Sequence, residues 1–245
     1  MSVPTILVPR GAEYQAVCRG LQSQGPLDRS PQTVSPDLPQ VLAIPAGLSP
    51  VKRWLEEFAA NTSPLPSAIL VMGVCGALRD RGNQDTIGSA VVYQSCLDPT
   101  GQSWHCANLT QIGIASAIVN PLALPASTGI TCDRVIHLAQ EKQQLAQQLQ
   151  ADVVDMENTA ILEFFSQHNI PVAIVRVISD DAHHDLPDLS QGFDENGQLR
   201  PITLALAMLR RPIAAVRLIR GSLTALKILE RLSGELIQSP CSSQD

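Results

Sequence analysis

A group of titratable side chains follows an apolar segment in the second half of the sequence. Residues 172–179 read VAIVRVIS, and Asp180, Asp181, His183 and His184 come directly after them. A carboxylate after a strand is often only a helix cap or a solvated loop group. Here the apolar segment predicts a buried strand that ends in a cleft, where the adjacent Asp181 would raise the pKa of Asp180. Because a carboxyl group that keeps its proton near neutral pH can donate it, Asp180 is a candidate general acid.

A second candidate, Glu157, lies in the segment VVDMENTAILEFF, whose spacing predicts a helix entered at Met156. On that helix, Glu157 would share an apolar face with Ile161 and Phe164. Two interpretations stay open, namely a structural ion pair with Arg176 from the next strand or hydrogen bonds to a ligand hydroxyl. The helix N-terminus favours a negative charge in either case.

A third carboxylate, Glu13, follows the apolar segment at 5–8 and a glycine turn, although acids are also common at helix N-termini. In parallel sheets ligands bind at the carboxyl ends of strands, so we expect Glu13, Glu157 and Asp180 to meet in one cleft. Three acids without a nucleophile suit hydrolysis or transfer at a glycosidic carbon, where positive charge develops in the transition state.

Short apolar segments alternate with helical patterns along the chain. The predicted strands are at 5–8, 41–44, 67–73, 89–95 and 171–179, with a Pro-, Ser- and Asp-rich loop at 25–40 and a Gln-rich exposed helix at 134–150. This alternation predicts an α/β fold in three layers, with a mixed, mainly parallel twisted sheet and helices on both faces. The strand at 67–73 is expected to run into a glycine turn. Neither a G-x-G-x-x-G nor a Walker pattern is present.

Composition excludes several classes of function. The chain has 245 residues, of which 44% are hydrophobic and 16% charged, as in a globular protein. Eight aromatic residues and a net charge of −6 argue against binding of nucleic acid. The six cysteines form no C-x-x-C pair, and we expect them to be reduced in a cytoplasmic protein. We predict no signal peptide and no transmembrane helix.

The C-terminal region differs in charge from the rest. Residues 200–245 carry seven basic and three acidic groups, a net of +4, and we expect them to form a helical extension packed on a domain that comprises residues 1–199. Helical spacing places Arg217, Arg220 and other basic side chains on one face. Such a helix can cap the core, bind a partner or rest on anionic lipid at the membrane periphery.

Two further groups have ordinary explanations beside functional ones. His183, His184 and nearby acids are a candidate metal cluster, but adjacent histidines on an extended loop point in opposite directions, so we predict no metal site. They are also candidates for a lid. Cys75, between glycines 73 and 76, is a candidate nucleophile or simply a small residue in a tight turn.

Taken together, these segments resemble the superfamily of nucleoside phosphorylases and methylthioadenosine–adenosylhomocysteine nucleosidases. The match rests on VVDMENTAI with PVAIVRVISDDA, on MGVCGALRD with TIGSAVVY, and on GAEYQAV, in the order the family has them. The resemblance implies that Asp180 protonates N7 of a leaving purine and that Glu157 holds ribose hydroxyls. It also implies that Met156 packs on the sugar and that Glu13 orients or deprotonates a water molecule.

The resemblance brings further positions to the substrate. These are Val74, Cys75, Gly76, Val135 and Arg176, with Arg10 and Gly11 as an alternative phosphate site. Relatives usually have Ser or Thr where this chain has Val74, which cannot hydrogen-bond the nucleophile through its side chain. Water and phosphate therefore both stay open as nucleophile, and Glu13 favours water because a carboxylate repels phosphate.

A narrower resemblance concerns residues 192–232, GFDENGQLRPITLALAMLRRPIAAVRLIRGSLTALKILERL, which are similar to the tail of the hopanoid-associated phosphorylase branch. That likeness implies removal of adenine from an adenosylhopane-like substrate in hopanoid biosynthesis. The alternatives are a purine nucleoside phosphorylase or methylthioadenosine/adenosylhomocysteine nucleosidase, and a nucleoside-binding protein without catalysis. We expect no metal or organic cofactor, with phosphate as the alternative co-substrate. The relatives also imply a homo-oligomer.

Overall fold

The computed structural model describes residues 3–23, 39–80, 82, 86–189, 192 and 200–237. Its strands are Thr5–Pro9 (β1), Val41–Ile44 (β2), Ile69–Ala77 (β3), Ala90–Leu97 (β4), Ser103–His105 (β5), Ala126–Thr131 (β6), Val153–Asp155 (β7) and Val172–Asp180 (β8). Its helices are Ala12–Gln22 (α1), Leu48–Asn61 (α2), Ser116–Leu122 (α3), Ala139–Leu149 (α4), Asn158–Gln167 (α5), Pro201–Arg210 (α6) and Pro212–Leu236 (α7). Residues 25–38 of the predicted loop and residues 193–199 lie outside the described residues.

Continuous apolar strands place side chains on both faces of the sheet, and helices cover each face. In β1, Leu7 packs into a cluster with α2 and α5, whereas Ile6 and Val8 pack with α1 and α7. The predicted three-layer α/β architecture is therefore confirmed. None of the helices in the described ranges has the length and hydropathy to cross a lipid bilayer.

The sheet closes on itself, which the sequence did not indicate. β3 pairs with β8, β8 with β4, β4 with β6, β6 with β7, and β7 again with β3. β1 and β2 extend the sheet beyond this ring, and β5 pairs with β4. The pairs β3–β7 and β4–β8 are antiparallel, so the ring contains strands of both directions.

The long strand β3 forms a fork with β1 and β7. Along one edge β3 pairs with β8 over residues 69–76, and on the other edge it pairs first with β1 and then with β7. β1 runs parallel to β3 and β7 antiparallel, so the carboxyl ends of β1 and β7 point towards each other across the gap. The predicted glycine turn at residues 73–76 is wrong, because these residues continue β3 and form the floor of that gap.

The long helix α7 packs closely on α1 and on β8. A Cβ atom at Gly20 of α1 would lie 1.9 Å from the Glu230 carbonyl oxygen, and one at Gly221 would lie 2.1 Å from the Ser179 carbonyl oxygen. Both glycines therefore permit backbone contact that any side chain would prevent. Ser233 of α7 also donates a hydrogen bond to the Val17 carbonyl at 3.2 Å.

The variant Gly20→Ala tests this contact. Alanine favours the helical state by about 1 kcal/mol, but separating α1 from α7 should outweigh this gain and destabilise the protein by about 1–3 kcal/mol. Urea unfolding measures the difference. The control Gln22→Ala changes an exposed position on the same helix and should stay within about 0.5 kcal/mol of the original. Equal stability of the two variants would contradict the packing described.

Candidate active site

A cavity of about 710 Å³ opens at the fork between β1 and β7. Its wall contains every site residue that the sequence predicts, namely Arg10, Gly11, Glu13, Val74, Cys75, Gly76, Val135, Met156, Glu157, Arg176 and Asp180. The three acids lie in one cavity, as expected, but the argument from a parallel sheet that predicted this was wrong. β7 is antiparallel to β3, so Glu13 and Glu157 approach from opposing strand ends and not from one edge of a parallel sheet.

Arg176 is the cation around which the inner part of the cavity is organised. The side chain is 1% exposed and reaches past β3, where Nη2 donates to Asn158 Oδ1 at 2.6 Å and lies 3.4 Å from Glu157 Oε2. Nη1 donates to the Val74 carbonyl oxygen at 3.4 Å. Burial acts to lower the pKa of Arg176, but the surrounding carboxylates, Asp155 first, raise it above its ordinary value. The predicted pairing of Arg176 with Glu157 is present.

Asp155 and Asn158 support this arrangement and were not among the predicted site residues. The Asp155 carboxylate accepts hydrogen bonds from the backbone N–H groups of Glu157 and Asn158 at 3.1 and 2.9 Å, and from Asn158 Nδ2 at 2.7 Å. It thereby satisfies free N–H groups at the start of α5. Asn158 can then direct its carbonyl oxygen at Arg176, so Asp155 orients the residues that hold the guanidinium.

Glu157 precedes α5 and does not lie on a helical face as predicted. The helix begins at Asn158, and Phe165, not Phe164, is the fully buried phenylalanine. Glu157 Oε1 accepts a hydrogen bond from the Gly47 N–H at 3.0 Å. Burial raises the pKa of Glu157, Arg176 opposes that shift, and Asp155 adds to it.

Glu13 occupies the gap in the β-ladder. Its Oε2 accepts a hydrogen bond from the Val74 N–H at 2.8 Å, which the fork leaves without a strand partner. A Cβ at Gly73 would lie 2.4 Å from Glu13 and 2.3 Å from Arg176, so only glycine admits both side chains. Burial raises the pKa of Glu13 to about 7; Arg176 opposes this shift and Glu157 adds to it. Glu13 can therefore gain or lose a proton near neutral pH.

Asp180 reaches the cavity through an irregularity in β8. Cys75 pairs with Ile178 and Gly76 with Asp180, which leaves Ser179 as an extra residue. Such bulges redirect the side chains next to them. Gly76 provides the space, since a Cβ there would lie 2.8 Å from Asp180 Oδ2. Ser179 donates a hydrogen bond to Asp180 Oδ1 at 2.8 Å, which fixes the plane of the carboxylate.

Lys142 of α4 forms an ion pair with Asp180 and is fully buried. Its Nζ also donates to the Asp181 carbonyl oxygen at 2.7 Å. The predicted exposed helix at 134–150 is therefore wrong in two respects, because it begins at Ala139 and points its only lysine inward. Asp180 is therefore paired with the Lys142 ammonium, whereas the sequence led us to expect the negative charge of Asp181 beside it.

Asp181 turns away from Asp180. Its carboxylate accepts hydrogen bonds from the backbone N–H groups of His183 and His184 at 2.8 and 2.9 Å and pairs with the His184 ring. Partial burial acts against ionisation, but these bonds lower the pKa of Asp181. The Asp181 carboxylate therefore faces the histidines, and the like-charge contact with the Asp180 carboxylate that we expected is not formed. In the described parts of the chain, no group of three or more His, Cys, Asp or Glu side chains could hold a metal ion.

The remaining predicted residues have different surroundings. Burial raises the pKa of the Cys75 thiol above its ordinary range, so the thiolate is disfavoured and Cys75 is a poor nucleophile. Val74 contributes its backbone to Glu13 and Arg176. Met156, Val135, Gly11 and the exposed Arg10 lie on the cavity wall. The polar part of the cavity wall thus has carboxyl groups and the guanidinium groups of Arg10, Arg134 and Arg176, and the Cys75 thiol there is not activated.

The other end of the cavity is apolar. Leu186 and Leu189, which follow the histidines, line it together with Leu204, Met208, Leu218, Ile219 and Leu223 from α6 and α7. His183 and His184 are not part of this wall, so the residues just after them cover the cavity. A ligand bound here would meet charge at one end and aliphatic side chains at the other.

The variant Glu13→Gln tests the raised pKa of the Glu13 carboxyl group by a measurement that does not depend on enzymatic activity. The pKa of Glu13 rises from 4.5 to about 7 on folding, so ionised Glu13 destabilises the fold, and stability is lost as pH rises through this window. Between pH 5 and 8 we expect the original protein to lose roughly 2–3 kcal/mol more than Glu13→Gln. Urea unfolding at both pH values measures this. The control Glu56→Gln, at an exposed site on α2, should follow the original; parallel behaviour of Glu13→Gln would refute the shift.

Comparison with solved structures shows the same fold. A putative 5'-methylthioadenosine/S-adenosylhomocysteine nucleosidase from Borrelia burgdorferi, bound to adenine, is 15% identical with a TM-score of 0.66, covering 95% of this chain and 99% of that one. Native futalosine hydrolase of Helicobacter pylori is 14% identical with a TM-score of 0.60, covering 95% and 97%. The Campylobacter jejuni 5'-methylthioadenosine/S-adenosyl homocysteine nucleosidase is 14% identical with a TM-score of 0.58, covering 94% and 99%.

Sequence comparison gives the family. No curated protein sequence matches the chain. The family model described as Phosphorylase superfamily matches residues 40–210, which include β2 to β8 and α6. Because this match covers more than half of the sequence, the chain belongs to the phosphorylase superfamily.

Proposed function

We propose that this protein cleaves the N-glycosidic bond of an adenine nucleoside and releases adenine. The observation that carries this proposal is the placement of Glu13 and Asp180 in one cavity, over Gly73 and Gly76 of the same strand. Two positions that are three residues apart on a strand are separated by roughly 10 Å. That distance leaves room for a ribose ring with a leaving base at one end and a nucleophile at the other.

Asp180 acts on the leaving base. As the bond between C1' and N9 breaks, the electron pair moves to the purine. A proton passes from the buried Lys142 ammonium to the Asp180 carboxylate and from Asp180 to N7, which leaves Lys142 neutral until it takes up a proton again. Ser179 holds the other carboxylate oxygen in place. The base therefore departs as neutral adenine, a much better leaving group than its anion.

Glu13 acts on the nucleophile. A water molecule adds its oxygen to C1' and gives one proton to Glu13, whose pKa of about 7 suits acceptance near neutral pH. Glu157 retains acceptor capacity for ribose hydroxyls beside its bond from Gly47. Negative charge from both carboxylates stabilises the oxocarbenium-like ribose. The same charge disfavours phosphate, although the exposed Arg10 at the rim keeps phosphorolysis as the alternative.

The apolar end of the cavity favours a nucleoside with a large aliphatic substituent. Leu204, Met208, Leu218 and Leu223 offer such a group surface that removes it from water. An adenosylhopane-like substrate fits this description, whereas methylthioadenosine would leave most of the apolar wall unfilled. The absence of metal and organic cofactors, the cytoplasmic location and the homo-oligomer stay predictions.

Adenine release from a long-chain adenosyl lipid and from methylthioadenosine, with and without phosphate, tests the reaction. We expect release without phosphate and faster turnover of the lipid. Asp180→Asn should lower kcat about 10²–10⁴-fold, as expected for loss of a proton donor. The neighbouring Asp181→Asn removes a carboxylate that faces away and should stay within about threefold. Tight adenine binding without turnover, unchanged in Asp180→Asn, would instead identify a binding protein.

A double-mutant cycle tests the role of Lys142 as a positioning residue. Lys142→Met should lower kcat by roughly 10–100-fold, because Asp180 loses its ion-pair partner in a buried site. Adding Lys142→Met to Asp180→Asn should cost little more, since the two groups act as a unit. Gln144→Met, exposed on the same helix, is the control. Additive effects on kcat would show that Lys142 acts independently of Asp180.

A further inference from the structure

The helices α6 and α7 present aliphatic side chains to solvent over one continuous stretch of chain. Ile202, Leu209 and Ile213 are 79%, 76% and 78% exposed. Leu206, Val216, Ile219 and Leu223 are also exposed. We call these seven residues the apolar face. The second half of α7 differs, because Ala225, Leu229 and Leu232 are buried against the core. From Gly221 onwards α7 therefore packs on the core, while its earlier turns carry exposed aliphatic side chains.

The charged side chains of α6 and of the first half of α7 are all of one sign. Residues 200–223 contain five arginines and no aspartate or glutamate, whereas the whole chain has a net charge of −6. Arg210, Arg211 and Arg220 are exposed, and Arg211 pairs with Asp185 at 3.3 Å. A second copy of this face would bring like charges together, which disfavours self-association. A surface that is both apolar and anionic complements it, and an anionic lipid bilayer has that chemistry.

The apolar face also continues into the cavity. Ile219 and Leu223 are exposed and at the same time line the cavity wall. Leu204 and Met208 lie on the inner side of α6, opposite its exposed residues. An aliphatic chain that passes between α6 and α7 would therefore meet apolar side chains of both helices on its way from the outer surface towards the carboxylates.

We propose that α6 and the first three turns of α7 dock on an anionic membrane surface, and that an adenine nucleoside with a lipid substituent enters the cavity between these helices directly from the bilayer. The route for the substrate rests on the proposed function, but the docking itself does not. The aliphatic side chains insert among the acyl chains near the headgroups, and the arginines contact lipid phosphates. Docking leaves the carboxylates near Arg176 at the inner end of the cavity.

Vesicle flotation tests the docking. The full chain should float with vesicles that contain phosphatidylglycerol and bind neutral phosphatidylcholine vesicles far more weakly. Ile202→Ser/Leu209→Ser/Ile213→Ser should reduce binding at least tenfold. Arg210→Gln/Arg220→Gln should reduce it about fivefold for each arginine removed, and the remaining binding should weaken with salt. Two variants serve as matched controls. Lys52→Gln/Arg53→Gln removes two exposed cations from α2, and Val3→Ser changes an exposed apolar residue just before β1.

Turnover separates this proposal from the reaction itself. Adenine release from methylthioadenosine in solution should be unchanged in both sets of variants, while release from a vesicle-bound adenosyl lipid falls with binding. Failure of the unaltered chain to float, or equal flotation of the triple-serine variant, overturns the docking. The docking is also overturned if the unaltered chain is an oligomer that does not bind vesicles and the triple-serine variant is a monomer. Flotation without adenine release from any nucleoside would leave the docking intact and reject the proposed reaction.

Discussion

A buried guanidinium at position 176 is the constraint on which the rest of the site depends. Removing one partner from a buried ion pair typically costs about 3–5 kcal/mol, so Arg176 requires carboxylates close by. Glu157, Asp155 and Glu13 supply that negative charge, and Asn158 accepts the shortest hydrogen bond, at 2.6 Å. The acids that the proposed reaction needs are thus also required for the charge balance of the core.

The charge balance gives the carboxyl groups different properties. Burial raises the pKa of Glu13 to about 7, although Arg176 and the one backbone donor act to lower it, and its proton is therefore exchangeable near neutral pH. Asp180 has a lysine and a serine as partners and lies at the other end of the floor formed by β3. In the proposed reaction, similar side chains therefore perform opposite proton transfers because their neighbours differ.

Much of this site was predictable from sequence, and the failures have physical causes. Buried strands followed by acids identify Glu13 and Asp180, since solubility alone does not require charge at such positions. Lys142 was not predicted because the Gln-rich sequence of its helix has no apolar periodicity that would show which side chains point towards the core. Antiparallel β7 was also missed, because three residues are too few for a pattern to give direction. The bulge at Ser179 depends on pairing between distant strands, and the local sequence therefore does not predict it.

The fork has a consequence for how the chain acquires its native state. Arg176 contacts the carbonyl of Val74 across 102 positions, and β3 obtains its longest partner only when β8 exists. Pairing of such distant segments slows folding. Until β8 has been synthesised, one edge of the most apolar strand stays open, and open edges of this kind promote aggregation. A nascent chain on the ribosome therefore depends on shielding of that edge, and translational pauses before residue 180 are expected to lower the yield of soluble protein.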